Sequence, residues 1–385
     1  MRDSVEHLVI GGGLAGSMLA IRLAAAGRDV MLLEKERSPH HKVCGEFLSG
    51  EAIGYLQGAG IEPRNLGAEV IHRIRLHSGH RTVAANLPFT ALSLSRRTLD
   101  EALLERAADV GCTVCRGAFV EKLLPVGSGW SALLRGGRII AAKSAFLATG
   151  KHDLNGWPRT PGSQSDLVAF KMHWSLDCTQ TEALRDSMEL FLFREGYGGL
   201  SLVENSVANL CFVVRRRQLR ALGGWAELLT AIRHEVPAID KRLHAAAPCW
   251  TKPLAISPIP YGHLGGPANG LWRIGDQAAV IPSFTGDGMS IALHSPNLAA
   301  EMYLEGSSPD DYLQSLTNQL RPAMRFASAL SRAMVTSLGR KMAPFALIPR
   351  AIGLIAERTR IPNRALRNPR ALSNAQATSS PASRA

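Results

Sequence analysis

The sequence predicts an α/β fold: a parallel sheet of the Rossmann type, an antiparallel sheet inserted into it, and a helical C-terminus. Three observations predict this class. Within residues 7–34, a short apolar strand, a glycine cluster, a helix and a second strand follow one another. Between residues 188 and 214, three segments alternate in hydrophobicity, as strands of an antiparallel sheet do. A second glycine-rich turn at residues 286–288 precedes a long helical pattern.

The N-terminal unit is typical of dinucleotide-binding proteins. Gly11 permits a tight turn out of the strand, Gly13 allows a pyrophosphate to approach the backbone, and Gly16 allows the helix to pack closely on the sheet. The helix, over residues 15–26, directs free N–H groups and its positive end at the diphosphate. The residues of this unit predicted to contact the cofactor are Gly11, Gly13, Leu14, Ala15 and Gly16.

The second strand, residues 30–33, is followed by an acidic residue. Glu34 lies 23 residues after Gly11, close to the roughly 20 residues expected before the acid that binds the ribose. A carboxylate there accepts a hydrogen bond from a free ribose hydroxyl and repels a 2′-phosphate. The sequence therefore favours FAD or NAD at this end, with Glu34 and the adjacent Lys35 as contacts.

The second glycine motif distinguishes between these two cofactors. A strand ends in Gly275–Asp276, where the aspartate can accept hydrogen bonds from the ribityl hydroxyls of a flavin. The glycines of residues 286–288 let the next helix begin against the ring, so that its N–H groups face the negative charge of a reduced flavin. Because plain Rossmann NAD enzymes have no such second motif, FAD is predicted as the bound cofactor. The predicted contacts are Gly275, Asp276, Pro282, Gly286, Asp287, Gly288 and Met289.

Two segments resemble one flavoprotein family. Residues 42–45, Lys-Val-Cys-Gly, resemble the K-x-C-G segment of the geranylgeranyl reductases, and residues 275–288 resemble their Gly-Asp-Ala-Ala…Pro…Thr-Gly-Glu-Gly segment. That family has the p-hydroxybenzoate hydroxylase fold, and the resemblance covers residues 7–330. It implies that Cys44 and Gly45 run past the flavin ring. Cys44 is the one candidate for a catalytic residue near the reacting carbon, with a buried, inert thiol as the alternative.

The same resemblance implies further cofactor contacts. Arg-x-x-Leu-Asp at the start of a helix recurs in this superfamily, so Arg96 is expected to contact FAD, with Arg97 or a surface arginine pair as alternatives. Val120 lies where the second part of the cofactor's cradle is expected, and Thr149–Gly150 end a buried strand where backbone approaches the dinucleotide. The superfamily's hydroxylases carry an Asp-Gly pair after that strand. This chain has Lys151–Leu154 instead, which counts against a simple transfer of their mechanism.

The predicted domain boundaries follow from these motifs. The FAD-binding domain is discontinuous and comprises residues 1–70, 94–165 and 262–330. The antiparallel substrate domain comprises residues 71–93 and 166–261, and it is followed by a helical segment, 331–361, and a basic disordered tail, 362–385. The side chains that either line the substrate pocket or pack in the core are Trp174, Phe191, Phe193, Tyr197 and Leu202.

The basic charge is concentrated at the C-terminus. The chain has 385 residues and a net charge of +12. Residues 321–385 contain twelve Lys or Arg and one acid, Glu357, so this segment carries 12 − 1 = +11 of that charge. Residues 343–356 are apolar apart from Arg350 and are flanked by cations, which suits either an anionic membrane surface or packing on the flavin domain. Nucleic-acid binding is not expected, since no aromatic stacking platform accompanies the charge.

The remaining features indicate a cytoplasmic protein, with peripheral membrane contact through the basic segment as the alternative. The six cysteines are scattered, and neither a secretory signal nor a membrane span is recognisable. No metal site is predicted, and the oligomeric state is open.

The motifs together predict an FAD-dependent oxidoreductase with NAD(P)H as a transient reductant. Its expected substrate is small and apolar, isoprenoid or polyketide-like, and is either reduced at an alkene or hydroxylated. The alternatives are a non-catalytic flavin-binding carrier and a flavin-dependent halogenase. The Trp-x-Trp-x-Ile-Pro signature of the halogenases is missing.

Overall fold

The computed structural model describes residues 3–346, 358–362 and 365–366. Its strands are β1 Ser4–Ile10, β2 Val30–Glu34, β3 Phe47–Leu48, β4 Glu69–Ser78, β5 Arg81–Ser93, β6 Thr113–Arg116, β7 Val120–Val126, β8 Gly129–Leu134, β9 Ile139–Leu147, β10 Leu167–Ser175, β11 Ser187–Phe193, β12 Gly196–Val203, β13 Val207–Arg215, β14 Ala247–Pro248, β15 Leu254–Ile256, β16 His263–Leu264, β17 Trp272–Arg273 and β18 Ala279–Val280. Its helices are α1 Leu14–Ala25, α2 Gly50–Gly58, α3 Arg96–Asp109, α4 Cys178–Leu184, α5 Arg216–Leu222, α6 Trp225–Glu235, α7 Pro237–Leu243, α8 Gly288–Leu304, α9 Pro309–Met334 and α10 Ser337–Ala346.

The first sheet has the predicted Rossmann arrangement. Its strand order is β6-β2-β1-β9-β8-β7, with β17 paired to β9. Strands β1, β2, β6, β9 and β17 are parallel, whereas β8 is antiparallel to β7 and β9. Helix α1 packs against α3 and α8. Because parallel strands present their carboxyl ends at one edge, the turns after β1, β2, β9 and β17 meet there.

The second sheet is larger and has the order β14-β10-β13-β12-β11-β4-β5-β3, with β15 paired to β10. It is antiparallel as predicted, except that β4 and β11 run parallel. Alternating side chains show that a strand is half-buried but not the direction of its neighbour, so the sequence could not reveal this pair. The sheet also recruits β3 from within residues 1–70, which the sequence assigns to the flavin domain.

The two faces of the second sheet have different surroundings. One face packs against α6 and α7 through an apolar core that includes Trp174, Phe191, Phe193 and Leu202. Core packing, the simpler alternative, therefore holds for these four side chains. Tyr197 lies on the opposite face, which packs against loops of the flavin domain.

The described C-terminal residues return to the flavin domain. Ile361 and Ala365 are buried in the core around α1 and α8, and Arg360 donates hydrogen bonds to both carboxylate oxygens of Glu51. Most of the predicted tail, 362–385, and of the apolar stretch, 343–356, lies outside the described residues. Among the residues that are described, no helix is both long and apolar enough to cross a membrane.

Candidate flavin site

The turn after β1 has no room for side chains. Gly11 has a φ of +108°, and a Cβ built on it would lie 2.5 Å from the carbonyl oxygen of Ala148. A Cβ on Gly16 would overlap with the carbonyl oxygen of Gly11. Both positions therefore require glycine if the turn is to pack against α1 and the end of β9. Leu14 and Ala15 follow as buried residues in the first turn of α1.

Glu34 faces this turn from the end of β2. Its side chain is buried, and Oε2 accepts a hydrogen bond from the Gly12 N–H at 2.8 Å while Oε1 accepts one from the Glu36 N–H at 2.9 Å. A carboxylate accepts more than two such bonds, so Glu34 retains capacity for a ribose hydroxyl. Lys35, in contrast, turns to solvent and pairs with Glu36 at 3.8 Å.

Three further predicted contacts lie beside these strand ends. Val120 is buried in the core of the first sheet, and two residues before it an N–H donates to the carbonyl oxygen of Glu34 at 2.9 Å. Gly150 has a φ of +64°, and its carbonyl oxygen accepts a hydrogen bond from the Gln277 amide at 2.8 Å. The Thr149 hydroxyl donates within its own turn, to a carbonyl oxygen at 2.6 Å.

Two cations meet over Gly13. Arg96 Nε and Lys42 Nζ each donate to a carboxylate oxygen of Asp100 at 2.8 Å. A Cβ built on Gly13 would lie 3.4 Å from Arg96 Nη2 and 3.5 Å from Lys42 Nζ. Burial opposes the ionisation of Asp100, but the charges of Arg96 and Lys42 hold its pKa below the usual value. The two cations suit an anionic diphosphate, and Arg96, rather than Arg97, is the arginine that lies against Gly13.

Lys42 was not among the residues predicted from the sequence to contact the cofactor, although it lies against Gly13. The available signal was its position in the K-x-C-G segment, which places a cation two residues before the turn that is expected to border the flavin.

The second glycine motif approaches the groove from the other side. Gly275 has a φ of +59°, and a Cβ on it would lie 2.7 Å from the Cβ of Ala15, so the strand end packs directly on α1. The Gly275 N–H donates to Ser295 Oγ at 2.8 Å. Asp276 pairs with Lys151 Nζ at 3.3 Å, and this carboxylate raises the pKa of Lys151. Lys151 thus lies beside the aspartate that is predicted to bind the ribityl chain.

The turn before α8 is equally tight. Gly286 has a φ of +76°, and a Cβ on it would lie 2.7 Å from the Phe47 ring. Helix α8 begins at Gly288, where a Cβ would meet no atom within 4 Å, so the helix start borders open space. Asp287 is 2% exposed, and burial raises its pKa to about 7. The remaining predicted residues of this motif, Pro282 and Met289, are buried.

Cys44 and Gly45 lie between the two glycine motifs. The Cys44 side chain is half-buried and forms no disulfide, and its sulfur accepts a hydrogen bond from the Glu46 N–H at 3.4 Å. It lies within electrostatic range of Arg96 and Lys151. The Cys44 carbonyl oxygen accepts a hydrogen bond from the Asn209 amide at 3.2 Å. A Cβ on Gly45 would meet no atom within 4 Å, so this turn also borders open space.

A buried charged network behind this turn was not predicted from the sequence. The Glu46 side chain is fully buried and accepts hydrogen bonds from Lys171 Nζ and from His173 Nε2, the latter at 2.9 Å. We call these three residues the Glu46 network. The His41 ring lies 4.8 Å from that of His173, and burial with nearby positive charge lowers the pKa of His41 to about 4. The available signal was Lys-x-His in the otherwise apolar strand β10.

The geometry also raises the question of a metal site. His41, Glu46 and His173 each offer one ligand atom, and these atoms lie within 4.8 Å of one another. The donor set does not favour a metal ion, because the Lys171 ammonium already neutralises the carboxylate and would repel a second cation.

The described residues fit FAD. The groove offers an acceptor for a ribose at Glu34, two cations against Gly13 for a diphosphate, and open space beside Gly45 and the start of α8 for a ring. Glycines line both sides of it where a Cβ would obstruct the backbone approach.

Comparisons with known proteins agree with this geometry. Residues 4–139 match the model of the FAD binding domain family. The menaquinone reductase of Mycolicibacterium smegmatis is 25% identical over 80% of this chain and 79% of its own length. Digeranylgeranylglycerophospholipid reductase 2 of Methanopyrus kandleri is 26% identical over 80% of this chain and 78% of its own.

Among solved structures, the flavin-dependent brominase Bmp2 aligns with a TM-score of 0.75 at 16% identity, over 97% of this chain and 98% of its own. At that identity the likeness concerns the fold. The predicted fold and superfamily are confirmed, and FAD is the cofactor that the matching domain binds. The chain carries an FAD binding domain over residues 4–139 and has the p-hydroxybenzoate hydroxylase fold of flavin-dependent enzymes.

Proposed function

We propose that the protein is a reductase that takes a hydride from NAD(P)H and transfers it to an apolar, unsaturated acceptor such as a quinone ring or an isoprenoid alkene. Two relatives that align with four fifths of the chain are named as reductases, one of menaquinone and one of a geranylgeranyl lipid. The segment after β9, which lacks the Asp-Gly pair of the superfamily's hydroxylases, supports reduction over hydroxylation.

The observation that carries this proposal is an apolar wall on the flavin-domain side of the second sheet. Its side chains are Leu192, Tyr197, Val213 and Val280, with the partly exposed Val43, Leu190 and Phe284 beside them. Within the sheet, Gly199 lies between Cys211 and Leu190 and is partly exposed, so the wall carries no side chain at this position and a flat acceptor can approach the backbone. Removing the exposed apolar surface of Val43, Leu190 and Phe284 from water favours an apolar ligand here.

Bound FAD supplies the hydride chemistry, and the chain supplies orientation and charge. Lys42 and Arg96 would bind the diphosphate, Glu34 would accept a hydrogen bond from the ribose, and the first N–H groups of α8 would favour negative charge on the ring. The apolar wall would exclude water from the reacting edge. One dinucleotide fingerprint is present in the chain, so NAD(P)H is expected to bind transiently.

Anaerobic reduction followed by mixing with acceptors tests the proposal. FAD-loaded protein is reduced with NADPH or NADH and then mixed with a prenylated naphthoquinone, an isoprenoid alkene, or oxygen. We expect rapid flavin reoxidation by the naphthoquinone or by the alkene, with a product that gains two hydrogen atoms. A product that gains an oxygen atom would replace reduction by hydroxylation. Halogen incorporation in the presence of bromide would support the halogenase alternative.

Two controls sharpen this result. Gly199→Leu adds a bulky side chain at this partly exposed position and is expected to slow reoxidation by the organic acceptor at least tenfold, while FAD binding and dithionite reduction persist. A yellow protein that neither oxidises NAD(P)H nor passes electrons to any acceptor would contradict the proposal and favour a non-catalytic carrier.

We also propose peripheral membrane contact through α10. Leu338 and Met342 are exposed and one helical turn apart, and Lys341 is exposed beside them. An apolar pair next to cations favours an anionic lipid surface. Liposomes containing anionic lipid should sediment with the protein, and Leu338→Ser/Met342→Ser should sediment less than half as much. Equal sedimentation of both would contradict the proposal.

A further inference from the structure

Glu46 adopts a backbone conformation that is unusual for its residue type. Its φ is +58°, in the left-handed region that glycine favours, and its side chain is completely buried. Such a conformation is unfavourable for a non-glycine residue, and it persists where the surroundings over-determine it. The contacts of Glu46 therefore indicate what requires it.

Those contacts come from both sheets. On the flavin-domain side, the Arg96 N–H at the start of α3 donates to Glu46 Oε1 at 2.7 Å, and the Glu46 carbonyl oxygen accepts from the Leu94 N–H at 3.1 Å. On the side of the second sheet, Lys171 and His173 of β10 both bind the carboxylate. Glu46 thus connects the Cys44–Gly45 turn both to the flavin domain and to the second sheet.

The contacts of Glu46 continue through the second sheet to the apolar wall. Lys171 is the cross-strand partner of Cys211, which in turn pairs with Gly199 and then Leu190 in one row across the sheet. The groove side of the turn is Cys44–Gly45, and its other side is Glu46. A single carboxylate therefore lies between this row, which reaches the wall at Leu190, and the turn that borders the groove.

The network is built to hold a carboxylate. Burial alone would raise the pKa of Glu46, but the Lys171 ammonium and the His173 hydrogen bond hold it below the usual value. Lys171 is itself fully buried, and an unpaired ammonium in that environment would be strongly unfavourable. Each charge requires the other, and the pair joins two domains of the fold.

We propose that Glu46 is a positioning residue for the flavin reaction: by binding Lys171 and His173 it holds the Cys44–Gly45 turn at a constant distance from the apolar wall, and so sets the separation between flavin and acceptor. The part of this proposal that concerns the acceptor rests on the proposed function. The part that concerns the turn rests on FAD binding alone.

The test uses full-length FAD-loaded protein with Glu46→Gln and with the double variant Glu46→Gln/Lys171→Met, which removes the ammonium left unpaired by the first change. The double variant should remain folded and bind FAD within threefold of wild type. Its rate constant for hydride transfer to the acceptor should fall at least tenfold with little change in acceptor KM. The visible circular dichroism of the bound flavin should also change.

Matched variants distinguish an effect on the position of the Cys44–Gly45 turn from a general loss of protein stability. Glu189→Gln removes an equally buried carboxylate on the opposite face of the same sheet and should leave the rate constant and the flavin spectrum unchanged. Glu46→Asp, which keeps the charge, should recover part of the rate. The proposal is overturned if the folded double variant has wild-type rate and spectrum, or if Glu189→Gln changes them equally.

The spectrum distinguishes this proposal from the proposed function. If no acceptor reacts with any variant, the reductase assignment fails, but the flavin dichroism still reports whether Glu46 positions the turn.

Discussion

Each face of the second sheet holds a buried carboxylate bound by cations, yet the two carboxylates connect different things. On the helix-covered face, Glu189 of β11 binds Arg242 at 2.7 Å and Arg75 at 3.1 Å, and His77 lies 3.6 Å away. All of these partners belong to the second sheet or to its covering helices. Burial opposes the ionisation of Glu189, but its interactions with His77 and Arg242 hold its pKa at about 2.

On the other face, Glu46 comes from the flavin domain and finds its partners in the second sheet. The two carboxylates are alike in burial and in pairing. They differ in that one lies within a single layer and the other joins two. Burial and charge pairing alone therefore do not mark a functional group, and what the pair connects is the better guide.

The largest expected effect comes from Lys171→Met, which leaves the Glu46 carboxylate buried without its ammonium. Loss of one partner of a buried pair destabilises a protein by about 3–5 kcal/mol. Urea unfolding of the apoprotein should show this loss, and adding Glu46→Gln should recover most of it. If Lys171→Met alone were neutral, the ion pair would not be the link between the layers.

Asp287→Asn should stabilise the apoprotein, whereas Lys171→Met destabilises it. Asp287 is buried, its Oδ2 has no hydrogen-bond partner among the described residues, and its pKa is raised to about 7. The folded apoprotein therefore keeps a proton that the unfolded chain loses, so stability falls as pH rises from about 4 to about 7. Asn should stabilise the apoprotein at pH 8 by at most about 4 kcal/mol and flatten this pH dependence. An unchanged pH profile would contradict the assignment.

Glu189→Gln should act on stability alone. Because the folded pKa of Glu189 is lowered to about 2, its contribution is present above the usual value of 4.5 and is lost as pH falls toward 2. The variant should lose about 3 kcal/mol at pH 7 and much less at pH 3. Thermal unfolding at both pH values measures this, and a variant equally destabilised at both would show that packing, not charge, is responsible.

Arg96→Met should have the smallest effect in this series. The backbone N–H that donates to Glu46 is retained, whereas the guanidinium over Gly13 is removed. FAD affinity should fall about tenfold to a hundredfold, which corresponds to about 1.4–2.8 kcal/mol. The apoprotein should lose less stability than with Lys171→Met, because Lys42 remains paired with the buried Asp100. Arg97→Met is the matched control, and equal losses for both arginines would contradict the assignment of Arg96.

The nucleotide end of the groove could be predicted from the sequence because its requirements concern the backbone. Gly11 and Gly16 have no alternative where a Cβ would meet Ala148 or Gly11 itself, so close packing leaves a recognisable spacing. Glu34 follows at a distance set by one helix and one strand. The cofactor and fold class depend on such local patterns, and both are confirmed.

The Glu46 network could not be predicted in this way. Lys171 and His173 lie 125 and 127 residues after Glu46 in the chain, and only the packing of the flavin domain on the second sheet brings them together. The parallel pairing of β4 with β11 was missed for the same reason, because the side-chain pattern of a strand does not depend on the direction of its neighbour. For aromatic side chains of the second sheet, the residue type left both the pocket and the core open: Phe191 and Phe193 pack under the covering helices, as the core alternative expects.

The most direct test of the account is a titration of full-length apoprotein with FAD, followed by the flavin visible spectrum and by quenching of flavin fluorescence. We expect saturable binding of one FAD per chain for wild type. We expect no saturable binding for Gly16→Val, because its side chain would overlap with the carbonyl oxygen of Gly11. A folded wild-type protein that stays colourless and binds no FAD, or a Gly16→Val variant that binds as tightly as wild type, would contradict it.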